Sequence, residues 1–142
     1  MSRDGWVDDL AATGIRAVVC PMMRQGYWYT KNGHTVEYAW DEKAGERAFE
    51  AAMKTIDAAM KHPSGRISAM VGPSQIDTCS EGYFKEAHQE AKRRNTPMQT
   101  HACQAVVEFY EMVHRYGKTP IEWLDSIGVL GPDLVIGHGI FL

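Results

Sequence analysis

The sequence predicts an α/β fold, and three observations carry that prediction. Short apolar, β-branched runs recur at residues 15–20 (IRAVVC), 67–71 (ISAMV), 98–102 (MQTHA) and 134–138 (LVIGH). The segments between them repeat apolar residues at helical spacing. The length of 142 residues, 44% apolar and 23% charged, suits one domain or one piece of a larger one. Strands that alternate with helices imply a parallel sheet with right-handed crossovers, either an open doubly wound sheet or a (β/α) barrel. In both architectures the chemistry collects at the carboxyl ends of the strands.

Each element has its own local signal. Residues 4–12 read as the tail of a helix that feeds the first strand. The connection after that strand, residues 21–40 (PMMRQGYWYTKNGHTVEYAW), is far longer than the ~2–6 residues usual for such a loop. It carries Tyr27, Trp28, Tyr29, Tyr38 and Trp40, as a lid or pocket wall would, or forms a hairpin turning at Lys31-Asn32-Gly33. Met22 and Met23 stand just past the strand, as substrate contacts or as adaptable filler. A long helix follows, with Ala44, Ala48, Phe49, Ala52, Met53, Ile56 and Met60 on one face, and ends before His62-Pro63.

After the second strand, Thr78 and Glu81 have capping-box spacing, and Phe84, Ala87 and Ala91 continue an apolar stripe. After the third, Val106, Val107, Tyr110 and Val113 form the stripe expected to face the core, closed by Gly117 as the residue beyond the C-cap. Thr119, Pro120 and Glu122 then open a last helix, with Ile121, Leu124 and Ile127 apolar and Gly128 as the stop.

Composition excludes several classes of function. A net charge of −3 and a pI near 6.0 provide no electrostatic footprint for nucleic acid or an anionic membrane surface. The basic cluster Lys92-Arg93-Arg94 falls at a helix end, where cations complement the macrodipole. No run approaches the ~18 apolar residues of a membrane span, and MSRDGWVDDL lacks a signal-peptide core, so a cytoplasmic location is expected. Cys20, Cys79 and Cys103 include no CxxC pair and suggest neither a disulfide framework nor a cysteine zinc site. Strand alternation would put Cys103 on the same face as His101, but a packing role is expected of it.

A single imidazole ends each of the last two strands, His101 in PMQTHACQ and His138 in VIGHGIFL. The residues alone leave two readings open, a hydrogen-bonded core histidine or a ligand at the catalytic end.

The pieces TGIRAVV (13–19), GPSQIDTCSEGYFKEA (72–87), THACQAVVEF (100–109) and YGKTPIEWLDSIGVLGPDLVIGH (116–138), in that order, resemble the amidohydrolase superfamily. The similarity is to its branch of cytosine, guanine and S-adenosylhomocysteine deaminases and triazine hydrolases, and it covers nearly the whole chain. It implies part of a (β/α)8 TIM-type barrel, roughly strands three to six, around one zinc or iron ion. His101 matches the strand-five metal ligand, and His138 the strand-six histidine that binds metal or orients substrate and water. Neutral imidazoles on adjacent strand ends can converge on one divalent ion, which lowers the pKa of a bound water to about 7.

The departures from the family pattern are informative. Its HxH pair and its strand-eight aspartate have no counterpart, so residues 1–142 are expected to form a partial barrel domain with N- and C-terminal parts missing, inactive alone. Where the family has a proton-shuttling glutamate in His-x-x-Glu, this chain has Gln104, which can hold a substrate or water but is no acid or base. Either proton transfer passes to His138 or Asp77, since the helix is expected to carry Glu108 and Glu111 away, or the leaving group needs less protonation, or the activity is lost. Where the family has Pro-His, Pro73 is followed by Ser74 and Gln75, which with Trp28 are the expected substrate-binding residues.

The function that this resemblance implies is hydrolysis of a C–N bond, the deamination of a small nitrogen heterocycle. A triazine-type dechlorination or an inactive half-barrel binding module are the alternatives. A half-barrel exposes its apolar interior, so a homo-oligomer is expected.

Overall fold

The computed structural model describes residues 5–142. In chain order the elements are α1 (Trp6–Ala12), β1 (Ala17–Val19), β2 (Met22–Met23), β3 (Gly26–Tyr29), β4 (Glu37–Trp40), α2 (Glu42–Met60), β5 (Ile67–Ala69), β6 (Gly72–Pro73), α3 (Glu81–Arg94), β7 (Met98–Ala102), α4 (Val106–Tyr116), α5 (Pro120–Ser126) and β8 (Leu134–His138). All four expected runs are extended, and the last two match β7 and β8 residue for residue.

Parallel pairing joins β1 to β5, β2 to β6 and β7 to β8, while single parallel bridges, Val71 with Met98 and Gln75 with His101, carry the ladder across to β7. The extended segments therefore lie side by side in sequence order. Alternation sends Val19, Ile67, Ala69, Met98, Thr100 and Ala102 into the helical side, where they are buried. Val18, 54% exposed, and Val135 stand on the open face. Between sheet and helices, Ile56 of α2, Phe84 and Ala87 of α3, Met112 of α4 and Leu124 of α5 are fully buried in one core.

The long first connection folds as the antiparallel hairpin β3–β4, with Tyr29 opposite Glu37 and Gly33 at φ 76° in the turn. Met22 and Met23 stand just past β1, where they form the short strand β2, and Met23 is core. Ser80, not Thr78, caps α3 and accepts from the Tyr83 N–H at 3.3 Å. Thr78 lies in the preceding turn, donating its hydroxyl to the Gln75 carbonyl while its own carbonyl accepts from Gln25 and Gly26.

The largest correction concerns α4. Val106, Val107, Tyr110 and Val113 are exposed, Tyr110 by 67%, and the residues that α4 buries are Glu108 and Met112. The reason is polar and local, because the backbone leaving β7 needs an acceptor that Glu108 supplies. α5 opens as expected, with the reciprocal Thr119–Glu122 capping box and Pro120 in the first turn. Its buried face also includes Trp123, edge-on to Phe84 at 5.4 Å.

Candidate active site

His101 is the penultimate residue of β7, and its Nδ1 lies 2.8 Å from the Ser74 carbonyl oxygen. A carbonyl only accepts, so Nδ1 carries the proton and Nε2 keeps its lone pair, the tautomer in which a metal-ligating histidine is usually fixed. The neighbouring strand makes room for that ring. Gly137 pairs with His101 in register, and a Cβ at Gly137 would lie 2.6 Å from His101 Cδ2.

His138 pairs with Ala102, so strict alternation would turn it to the helical side. Its backbone is instead left-handed, with φ 71°, and its ring centroid lies 5.2 Å from that of His101. The two imidazoles are thus brought together at the carboxyl ends of adjacent strands. Among the described residues no cluster of three or more His, Cys, Asp or Glu is placed to hold a metal.

The turn after β7 is unusual. Cys103 has φ 59° and is fully buried, as a packing role for its thiol requires. Burial, with the Glu108 carboxylate adding to it, pushes that thiol up to about 11, so it stays protonated and inert at neutral pH. Cys103 N–H donates to Glu108 Oε1 at 2.5 Å and Gln104 N–H to Oε2 at 3.4 Å. Glu108, only 2% exposed, is therefore held beneath Gln104 and not carried off by the helix. Burial raises its carboxyl to about 7, helped by the charge of Asp77 and opposed by the two N–H donors. Sequence reasoning missed this role, although an acid at the third helical position is a usable signal for a helix start that needs an acceptor.

Beside this turn lies a cavity of about 120 Å³, walled by Trp28 and Tyr38 from the hairpin, Gln75 and Asp77 from the loop after β6, and Gln104 and Glu108. Tyr38 Oη donates to Asp77 Oδ2 at 2.6 Å. Arg115 donates to the Asp77 main-chain carbonyl and stacks over the rings of Tyr38, at 4.4 Å, and Trp40, at 5.1 Å. Burial raises the Asp77 carboxyl above its ordinary range, against the hydrogen bond from Tyr38. The structure thus places Trp28, Gln75 and Gln104 around one cavity. Ser74 stands apart from them, contributing its carbonyl to His101, and the two histidines do not line this cavity.

Residues 7–142 match the amidohydrolase family model. The chain belongs to the amidohydrolase family. It is 30% identical over 131 residues to a 5'-deoxyadenosine deaminase of Methanosarcina barkeri, covering 92% of this chain and 27% of that protein. It shares its α/β fold with an adenosine deaminase from Xanthomonas campestris solved with bound zinc, at TM-score 0.73 and 21% identity over 95% of this chain and 28% of that one. A triazine hydrolase from Arthobacter aurescens gives TM-score 0.74 at 18% identity, covering 96% and 29%. The chain spans about a quarter of the length of the curated relatives it matches. Among the described residues no helix is long and apolar enough to cross a membrane.

Proposed function

We propose that the chain supplies the third to sixth strands of a (β/α)8 barrel hydrolase that deaminates a nitrogen heterocycle with one divalent ion, zinc or iron. The observation that carries this reading is the His101–His138 pair, two imidazoles 5.2 Å apart at adjacent strand ends. The strand order supports it, since parallel segments in sequence order have no switch point and expose one face, as a barrel segment would.

His101 and His138 would hold the ion, with further ligands from elsewhere in the barrel, because catalytic zinc takes three protein ligands. When bound, the ion supplies Lewis-acid activation of water. Ser74 keeps the proton of His101 on Nδ1 and so keeps Nε2 available. Trp28 offers a flat face to the heterocycle, and the amides of Gln75 and Gln104 orient it by hydrogen bonds without moving a proton. The open sheet face with Val18 and Val135 is where the rest of the barrel, or a second copy, would pack. With two imidazoles only, the 142-residue chain does not turn over on its own.

Gln104 favours one alternative. Chloride leaves without being protonated, so a triazine-type dechlorination dispenses with the shuttle that glutamine cannot provide.

Titration of the 142-residue chain with zinc sulfate, followed by calorimetry, tests the metal assignment. One ion per chain is expected, with an affinity at least ~10-fold weaker in His101→Ala. Equal affinity in the variant and the parent chain would overturn it.

A further inference from the structure

We infer that Glu108 is the positioning residue for the His101–His138 pair, and that it acts through the Cys103 peptide. Among the described residues three other than glycine have a positive φ, Asn95, Cys103 and His138. Asn95 caps α3, where a left-handed residue is usual. Cys103 follows β7 and His138 ends β8, so the other two stand side by side where adjacent strands finish. A residue with a Cβ adopts that conformation at a cost, and it persists only where its surroundings hold it.

The hydrogen bonds show what holds it. The Cys103 N–H donates to Glu108 Oε1 at 2.5 Å, and the Cys103 carbonyl accepts from the N–H groups of Ile140 and Phe141 at 2.9 and 3.0 Å. The Ala102 carbonyl accepts from Gly139 at 3.1 Å. The chain leaving β8 is therefore folded back over the turn that leaves β7, and His138 takes its φ of 71° at the start of that return. Burial does not hold the returning segment, since Ile140 is 66% exposed and Phe141 38%. Cys103 is fully buried, so its N–H needs an acceptor inside the protein, and Glu108 is that acceptor. Without it the Cys103 peptide would turn until its N–H found another partner. Its carbonyl would swing with it, Ile140 and Phe141 would lose their acceptor, and His138 would relax to extended backbone. Alternation would then send the His138 ring to the helical side, away from His101. Glu108 bonds to Cys103 and Gln104 and to neither imidazole, so its influence is on their placement.

The bearing of this on a metal rests on the hydrolase reading, but the tie between Glu108 and the histidine pair does not. Ring placement is therefore measured first in a chelator, by NMR of the 142-residue chain. The parent chain is expected to show nuclear Overhauser contacts between the ring protons of His101 and His138. Glu108→Met keeps the bulk and removes both acceptor oxygens. It is expected to lose those contacts and to exchange the Gly139, Ile140 and Phe141 amides at least ~10-fold faster. Met98 and Gln99, which donate to Asp133 and Val71, are expected to keep their rates, whereas a general loss of stability would quicken all five. Glu108→Gln, whose amide oxygen still accepts from Cys103, is expected to restore both readouts. Glu108→Asp is one methylene too short to reach Cys103 and serves if Glu108→Met does not fold. Zinc titration then reads the consequence, a loss of at least ~10-fold in affinity with Glu108→Met that disappears in the His138→Ala background. Unchanged ring contacts and exchange, equal quickening at Met98 and Gln99, no rescue by Glu108→Gln, or an equal zinc loss in the His138→Ala background would overturn the inference. If the parent chain binds no zinc while its ring contacts follow Glu108, the metal assignment falls and the positioning role stands.

Discussion

Helices α4 and α5 follow one another and pack together, yet they bury different kinds of side chain. α5 buries Pro120, Trp123 and Leu124, while α4 buries Glu108 and Met112 and leaves Val106, Val107, Tyr110 and Val113 exposed. The difference begins at their first turns. α5 is self-sufficient, since Thr119 and Glu122 satisfy one another's backbone N–H groups. α4 starts at Ala105, which has no side-chain oxygen, and its Glu108 serves the left-handed turn that ends β7 instead. The polar demand of a strand end can therefore outrank an apolar stripe in deciding which face of a helix goes inward.

The largest effect expected on either helix is at Trp123. Its ring lies edge-on to Phe84 at 5.4 Å and 5.1 Å from Tyr116, so Trp123→Ala removes the anchor of α5 and leaves a cavity against α3. A loss of about 3–5 kcal/mol in urea unfolding is expected. A loss below about 1 kcal/mol would mean that the cap, not the aromatic face, fixes α5.

Glu108 should show the opposite kind of dependence, on pH and not on bulk. Its folded pKa, about 7, lies above the ordinary value of 4.5, so the folded state binds the proton more tightly than the unfolded chain does. Its contribution to stability is complete below about pH 4.5 and is lost as pH rises to about 7, at most about 3 kcal/mol in all. Glu108→Gln is expected to remove most of that slope in unfolding measured between pH 5 and pH 8. Asp77, also raised by burial, leaves a residual slope of the same sign. A variant with the full slope of the parent chain would show that Glu108 is ionised in the fold across this range.

This contrast also marks what could be read from the sequence. β7 and β8 were legible because a strand's apolar run and its flanking turns are local, and Thr119, Pro120 and Glu122 announce α5 for the same reason. The histidines could be placed at strand ends, but their approach depends on two things that no pattern states. One is the missing Cβ of Gly137 beside the His101 ring, and the other is the left-handed backbone of His138, which overrides alternation. Tyr38 and Asp77 are 39 positions apart, and only the hairpin brings the hydroxyl to the carboxylate. Within α4 the periodicity of Val106, Tyr110 and Val113 is genuine, but periodicity identifies an apolar face without saying which surface covers it.

That stripe supplies the smallest expected effect and the sharpest check on the comparison. Val106 and Tyr110 are exposed in the chain, so Val106→Ser and Tyr110→Ser should each change its stability by no more than about 0.5 kcal/mol, against about 2–5 kcal/mol for Met112→Ala on the opposite, buried face. Urea unfolding at one fixed, low protein concentration measures all three. If the serine variants cost as much as the Met112 variant, the apolar stripe is the buried face in solution, and Glu108 cannot also be clamped to the turn after β7. If they are neutral, the carboxylate has set the rotation of the helix, and the outward face is surface that folding of this chain does not need.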